Sequence, residues 1–439
     1  MGIKKLTVKT AVIVILTLIM SGSFSFAETG PLYLKVGLSF GSGSVSTCTV
    51  KCGDGFMIGR AVPDGVEEIL RFPDTRQLTV SLQSGVITAR SENGEVIYTG
   101  FDAETVIYPL GGRLSYNDTV YRGGLSFFLP SGGGMNVINY VSVEEYLYGV
   151  LNSEMGYHNP IEALKAQAVT ARSYASVYRE RHRNDGFDIC AAVHCQLYKG
   201  YSDEHSQTNR AVDETAGRTL MYDGKIVSGY YFKNSGGHTQ SAEDVWGGKV
   251  PYAVGVKDEY SPVYQWSHTL TFQELRTRLE ASGNNIGQIQ SVTITRRNQA
   301  GAAAAVQFRG SQGTIELRGD SLRTVFGGIN IRSTMFSFGE GVSAGDDFVH
   351  VMGAGGTVER KRPGDVFVIS GSGAVSRMTA LGQLGGDRVE SVTAGPLVFT
   401  GTGYGHGVGM PQDSAIEMAR RGYLYTEILK YFYTGIDIR

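Results

Sequence analysis

An excess of charge of either sign is missing from this chain: 42 acidic residues nearly balance 40 basic ones over 439 residues, a formal net charge of -2. Without a basic field there is no electrostatic footprint for nucleic acid, and nucleic acid is not expected among the partners. Long apolar runs are also missing beyond the N-terminus, so no later segment is expected to cross a bilayer. The H-E-x-x-H pair of a metallopeptidase helix does not occur. The glycines near the C-terminus lack both the G-x-G-x-x-G spacing and a following βαβ unit. No organic cofactor is therefore expected. No repeat of solenoid period is found. Tryptophan is reduced to Trp246 and Trp266, each readable as a core anchor or as a platform for a sugar ring.

Glycine, in contrast, is abundant, with 60 residues often in pairs, which implies many tight turns and a β-rich chain. The length exceeds one ordinary core, and two or three domains are expected. Lys4, Lys5 and Lys9 precede an apolar run from Ala11 to Met20, and Ser25-Phe26-Ala27 offers a small-x-small cleavage site. Residues 1–27 read as a signal peptide, with an uncleaved signal anchor as the rival, and the remainder is expected to be extracytoplasmic, secreted or membrane-anchored. Short alternating strands such as LYLKVGL, QLTVSLQ and EVIYTG follow.

The run from Ser153 to Ala175, SEMGYHNPIEALKAQAVTARSYA, places one acidic residue ahead of a strongly signalled helix. Asn159 is expected to cap that helix, with Pro160 in its first turn and Glu162 at capping-box spacing. Ile161, Leu164, Ala168, Ala171, Ala175 and Tyr178 recur at helical spacing as its apolar face. Upstream, Ser142 and Glu145 signal an earlier helix that Glu154 would end. A carboxylate there faces the negative end of the helix dipole, which raises its pKa and suits a general acid. A solvated loop glutamate is the plainer alternative.

The cysteines fall into two pairs, Cys48 with Cys52 and Cys190 with Cys195. An extended strand would hold the Cα atoms of the first pair ~13 Å apart, too far to bridge without a turn. The second pair lies in CAAVHC with His194 beside Cys195, and His182 stands eight residues before Cys190. Two thiolates and two imidazoles suit a tetrahedral zinc site of the closed, structural kind, and a Cys190–Cys195 disulfide is the alternative. In the C-terminal block GTGYGHGVGMPQDSA, glycines alternate with Tyr404, His406 and Val408, so an extended backbone would leave one face bare for a sugar ring or another chain segment.

The blocks EMG, PIEALKAQAVTARSYA, HCQLY, TAGRTLMYDGKIVSGYYFKNSGGHT and GTGYGHGVGMPQDSA, in this order, resemble the stage II sporulation protein D family. Gly156 stands where that family has proline, Tyr404 where it has tryptophan, His238 where an aromatic is common, and Pro411-Gln412-Asp413-Ser414 departs from its SQYG. The resemblance covers roughly residues 137–438. It implies a lytic transglycosylase acting on peptidoglycan glycan strands, with Glu154 as the single general acid and base. The substrate's own muramyl C6 hydroxyl is then the nucleophile. It further implies that Arg172, Ser235, Gly236, Gly237, Tyr404, His406 and Gln412 line the glycan cleft, and that His182, Cys190, His194 and Cys195 hold zinc.

The related amidase enhancer proteins suggest a rival, a non-catalytic glycan-binding module that stimulates a cell-wall amidase; a zinc amidase using the cysteine segment is weaker still. The expected fold is α+β, a small helical lobe and β-rich lobes forming a cleft. The expected divisions are 28–135 as an N-terminal β domain, 136–262 as the first part of the core, 263–345 as a β/α second lobe, 346–396 as a β insertion and 397–439 as the second part of the core.

Overall fold

The computed structural model describes residues 32–338, 390–393 and 395–439, together with the backbone of four short strands at 349–352, 358–361, 367–369 and 375–377. The signal peptide and most of the 346–396 segment lie outside the described residues. Helices and strands are segregated, and the fold is α+β, as the sequence predicts.

Two antiparallel sheets dominate the N-terminal part. Alternation in Gln77–Gln83 and Val86–Ser91 turns Leu78, Val80, Ile87 and Ala89 inward from a six-stranded sheet. They meet Phe56, Ile58, Ile107, Leu125 and Phe127 of a seven-stranded sheet in one apolar core. Strand pairing explains the free thiols: Cys48 faces this core from the extended strand Thr47–Lys51, Cys52 follows directly, and both are buried and unbridged. Every residue of the strand Asn136–Ser142 is buried because it pairs on both sides, with Tyr33–Ser39 and with Gly124–Phe128.

That central strand runs directly into helix α1, Val143–Met155, whose start is fixed by Ser142 Oγ accepting from the Glu145 amide at 3.3 Å. Helix α2, Ile161–Val177, follows after a short turn. Its cap differs from expectation. Asn159 does not cap α2; its side-chain amide donates to the Met155 and Gly156 carbonyls, satisfying the open end of α1 instead. Glu162 likewise serves other donors, Lys165 Nζ and the Tyr425 amide, so no capping box forms. The apolar face behaves as predicted, with Leu164, Ala168, Ala171 and Ala175 fully buried.

Small residues let neighbours approach, and α2 is surrounded by α1, by α3 (Ser206–Asp213) and by the C-terminal helices Gln412–Arg420 and Tyr425–Phe432. A further lobe has its own core around Phe308, Phe326 and Phe399. There Leu397–Thr402, from near the C-terminus, pairs with both Gln265–Leu270 and Phe336–Phe338. The chain thus leaves the helical core, builds this lobe and returns.

Candidate active site and metal centre

Glu154 occupies the last turn of α1, where the helix dipole opposes a negative charge. It opens onto a cleft of about 670 Å³ whose walls include Tyr174, Tyr178, Arg181, Tyr230, Trp246 and His406. Burial raises the Glu154 pKa above the usual carboxylate value, partly offset by two hydrogen bonds to the ionised form: the Leu197 amide, 3.3 Å from Oε1, and the Tyr231 hydroxyl. The hydroxyl is itself held in place. Gln196 Nε2 donates to it at 3.3 Å, while Tyr146 Oη donates to Gln196 Oε1 at 3.2 Å. Glu154 is thus a carboxyl group biased towards its protonated form yet provided with two donors once the proton leaves.

The turn around residues 190–198 carries a second feature. One ligand atom each from His182, Cys190, His194 and Cys195 lies within 4.8 Å of the others. Cys190 Sγ and Cys195 Sγ stand 3.7 and 3.6 Å from His194 Nδ1, and Cys195 Sγ stands 3.5 Å from His182 Nε2. A tetrahedral zinc with two sulfurs and two nitrogens would separate its ligand atoms by roughly 3.4–3.8 Å, so the four residues could hold such an ion. Both thiols are free, and the disulfide alternative is not the one adopted. Asp185 Oδ2 lies 3.5 Å from the other nitrogen of His182, placed to orient that ring. Cys190 is pinned to the seven-stranded sheet by parallel pairing of Ile189–Cys190 with Val36 and Gly37. Two residues after Cys195 comes Leu197, whose amide reaches Glu154.

The glycine-alternating segment is not extended beyond Thr402. Gly403, Gly405, Gly407 and Gly409 all have positive φ, and a Cβ at Gly409 would overlap the Tyr230 carbonyl oxygen. This irregular path delivers His406 to the cleft, with its ring centroid 5.2 Å from that of Trp246 and 5.4 Å from that of Phe232. Burial lowers the His406 pKa to about 4, and Nδ1 accepts from the Val408 amide at 3.1 Å, so the ring is neutral at physiological pH.

With the geometry in place, two comparisons bear on identity. A family model described as Stage II sporulation protein matches residues 131–222. Stage II sporulation protein D of Bacillus amyloliquefaciens is 28% identical over 319 residues, covering 68% of this chain and 74% of that protein. The chain belongs to the stage II sporulation protein D family.

Its similarity extends to the amidase enhancer of Bacillus subtilis, 28% identical over 66% of this chain, although the alignment spans only 40% of that longer protein. An uncharacterized protein of Brachyspira hyodysenteriae is 28% identical over 77% of both chains. A second model, described as a domain of unknown function, matches residues 249–356.

Within this stage II sporulation protein D domain, the structure brings together only some of the expected site residues. Glu154, His406, His194 and Cys195 line the cleft, and His182 and Cys190 complete the cysteine–histidine cluster. Arg172 does not line it: its guanidinium is buried, paired with Glu144 at 2.6 Å and donating to the Arg218 carbonyl. Ser235 is also buried, its hydroxyl donating to Asp258 Oδ2 at 2.5 Å, while Gly236 and Gly237 shape that loop rather than the cleft wall. Tyr404 exchanges backbone hydrogen bonds with Asn234 and sits near Tyr264 and Arg332. Gln412 is buried, donating to the Glu154 carbonyl at 3.0 Å; it supports the site from behind. Arg172, Ser235 and Gln412 share a cause: their polar groups are consumed by neighbouring segments, which leaves them out of the cleft wall.

Sequence reasoning missed Tyr231, Gln196 and the Leu197 amide. The GYYF run ahead of the Ser235 loop holds three aromatic residues in succession, and a parallel bridge to Met410–Pro411 orients Tyr231 and Phe232. That bridge is a long-range pairing with no local signal. Trp266 is a core anchor at 8% exposure, whereas Trp246 is 44% exposed and stands in the cleft wall.

Proposed function

We propose that this chain is a peptidoglycan lytic transglycosylase, cleaving the bond between N-acetylmuramic acid and N-acetylglucosamine without water. The observation that carries the reading is Glu154, a carboxyl with a raised pKa at the wall of an aromatic cleft, backed by two hydrogen-bond donors. Glu154 as acid gives its proton to the glycosidic oxygen, and the C1–O bond breaks. The resulting carboxylate, steadied by Tyr231 and the Leu197 amide, removes the proton from the muramyl C6 hydroxyl as that oxygen bonds to C1. The 1,6-anhydro ring closes and Glu154 is protonated again, so atoms and charges balance with no water consumed. The intramolecular nucleophile brings a large proximity advantage.

Zinc at His182, Cys190, His194 and Cys195 would supply no step. Two thiolate ligands favour a closed structural site, and its role is to fix the turn that presents the Leu197 amide. The setting that follows is extracytoplasmic and wall-associated; no helix among the described residues is long and apolar enough to cross a membrane.

The similarity to an amidase enhancer supports a second reading, a non-catalytic module that grips glycan and stimulates a cell-wall amidase. Digestion of purified glycan strands with product mass spectrometry separates the two. Wild-type protein is expected to release fragments ending in anhydromuramic acid, and Glu154→Gln to release about a hundredfold to ten-thousandfold less while binding the same strands. Fragments with ordinary reducing ends would instead indicate hydrolysis, and intact strands with wild-type protein would favour the enhancer.

A further inference from the structure

Opposite the chemistry so far described, the cleft wall changes ownership. Trp246 ends the short helix Ala242–Trp246 within the core, but Asp320 comes from the segment matched by the domain of unknown function, and both line the same cleft. The contact between the two is built. The Asp320 amide donates to the Val245 carbonyl at 3.2 Å, one residue before the tryptophan. Gly319 makes this approach possible: it has φ +55, and a Cβ there would lie 2.1 Å from the same carbonyl oxygen. Arg296 Nη1 stands 3.7 Å from Asp244 Oδ1 and holds the same helix. The Asp320 carboxylate is oriented by Arg323, whose Nη1 donates to Oδ1 at 3.0 Å. Trp246 is braced from behind by Tyr230, with ring centroids 4.8 Å apart, and keeps 44% of its surface exposed.

We propose that Trp246 and Asp320 form a sugar subsite shared between the two segments, and that residues 249–356 thereby set which glycan the cleft accepts. An exposed indole face offers stacking to the apolar side of a pyranose, and an oriented carboxylate beside it accepts hydrogen bonds from that sugar's hydroxyl or N-acetyl N–H groups. The subsite takes one neutral hexosamine residue of a glycan strand and binds it without touching the bond being cleaved. It rests on the glycan reading above, but not on transglycosylase chemistry.

The test measures binding in the Glu154→Gln background, so that glycan is not consumed, using peptide-stripped strands of alternating N-acetylglucosamine and N-acetylmuramic acid. Isothermal titration calorimetry gives Kd for every variant, and because Trp266 is buried, a change in tryptophan emission in proteins that keep Trp246 reports that residue. Asp320→Ala and Trp246→Ala are each expected to weaken Kd about tenfold, and the double variant to weaken it by clearly less than the product, because both contact one sugar. Asp320→Asn, which preserves size, and Trp246→Phe, which preserves an aromatic ring of smaller face, keep the test valid if either alanine variant melts early. Unchanged affinity in folded variants, fully multiplicative losses, or no glycan binding by the parent protein would overturn the subsite. Failure of the transglycosylase reading alone appears differently, as normal binding with no anhydro product from wild-type protein.

Discussion

Glu154 illustrates how three environments act on one side chain. Partial burial and the negative end of α1 disfavour its ionised form, whereas the Leu197 amide and the Tyr231 hydroxyl favour it, and burial outweighs them. A general acid must be protonated to act, so the rate should fall as pH rises through the raised Glu154 pKa, later than for an ordinary carboxyl. Tyr231→Phe removes a donor to the ionised form and so moves that falling limb to still higher pH, while weakening the base step. Rate profiles of anhydro-product release for both proteins check this; a limb that stays in place or moves to lower pH would contradict the assignment of Tyr231.

The turn from Cys190 to Tyr198 carries the cysteine–histidine cluster at one end and the Leu197 hydrogen bond to Glu154 at the other. Without an ion, two thiols and two imidazoles are left to hold the turn by weak contacts of 3.5–3.7 Å. Chelation, or Cys195→Ser, is therefore expected to lower Tm by roughly 5 °C or more, since each kcal/mol moves the midpoint by roughly 2–4 °C in domains of this size. Activity should decline in step with the loosening of the turn and, after chelation of the wild-type protein, recover on adding zinc. Metal analysis with calorimetry measures it; protein isolated without metal, with unchanged Tm under chelator, would remove the cluster from the account. The glycine-alternating segment shows the same logic in backbone form, because four positive-φ turns carry His406 to a place that a regular strand could not reach.

Across the whole molecule, His406 joins the stabilities of the parts around it. Its ring packs beside Phe232 and Trp246 of the core, while Asp320 and Arg323 of the adjoining lobe act on its charge in opposite directions. The unfolded ring takes a proton near pH 6.5, the folded one only near about 4. Stability is therefore full above pH 6.5, declines by about 3 kcal/mol as pH falls through that window, and levels off below it. Urea unfolding between pH 4 and 7 should show that slope, and His406→Gln should flatten it; an equal slope in the variant would contradict a ring held neutral in the folded protein.

Local patterns carried much of this protein. The apolar periodicity of α2, the Ser142 cap, the position of Glu154 at the end of α1 and the grouping of His182, Cys190, His194 and Cys195 were all legible, because each depends on residues close together in the chain. The fate of Asn159, Arg172, Ser235 and Gln412 was not. Asn159 turns back on the Met155 carbonyl four residues away, while Arg172, Ser235 and Gln412 are claimed by Glu144, Asp258 and the Glu154 carbonyl, partners chosen by how helices and loops dock. Tyr231 reaches Glu154, and Asp320 reaches the cleft, only after distant segments have packed. Short-range spacing decides which groups a turn or helix can present, but a buried hydrogen bond needs its partner delivered from elsewhere, and that delivery is the work of the assembled core.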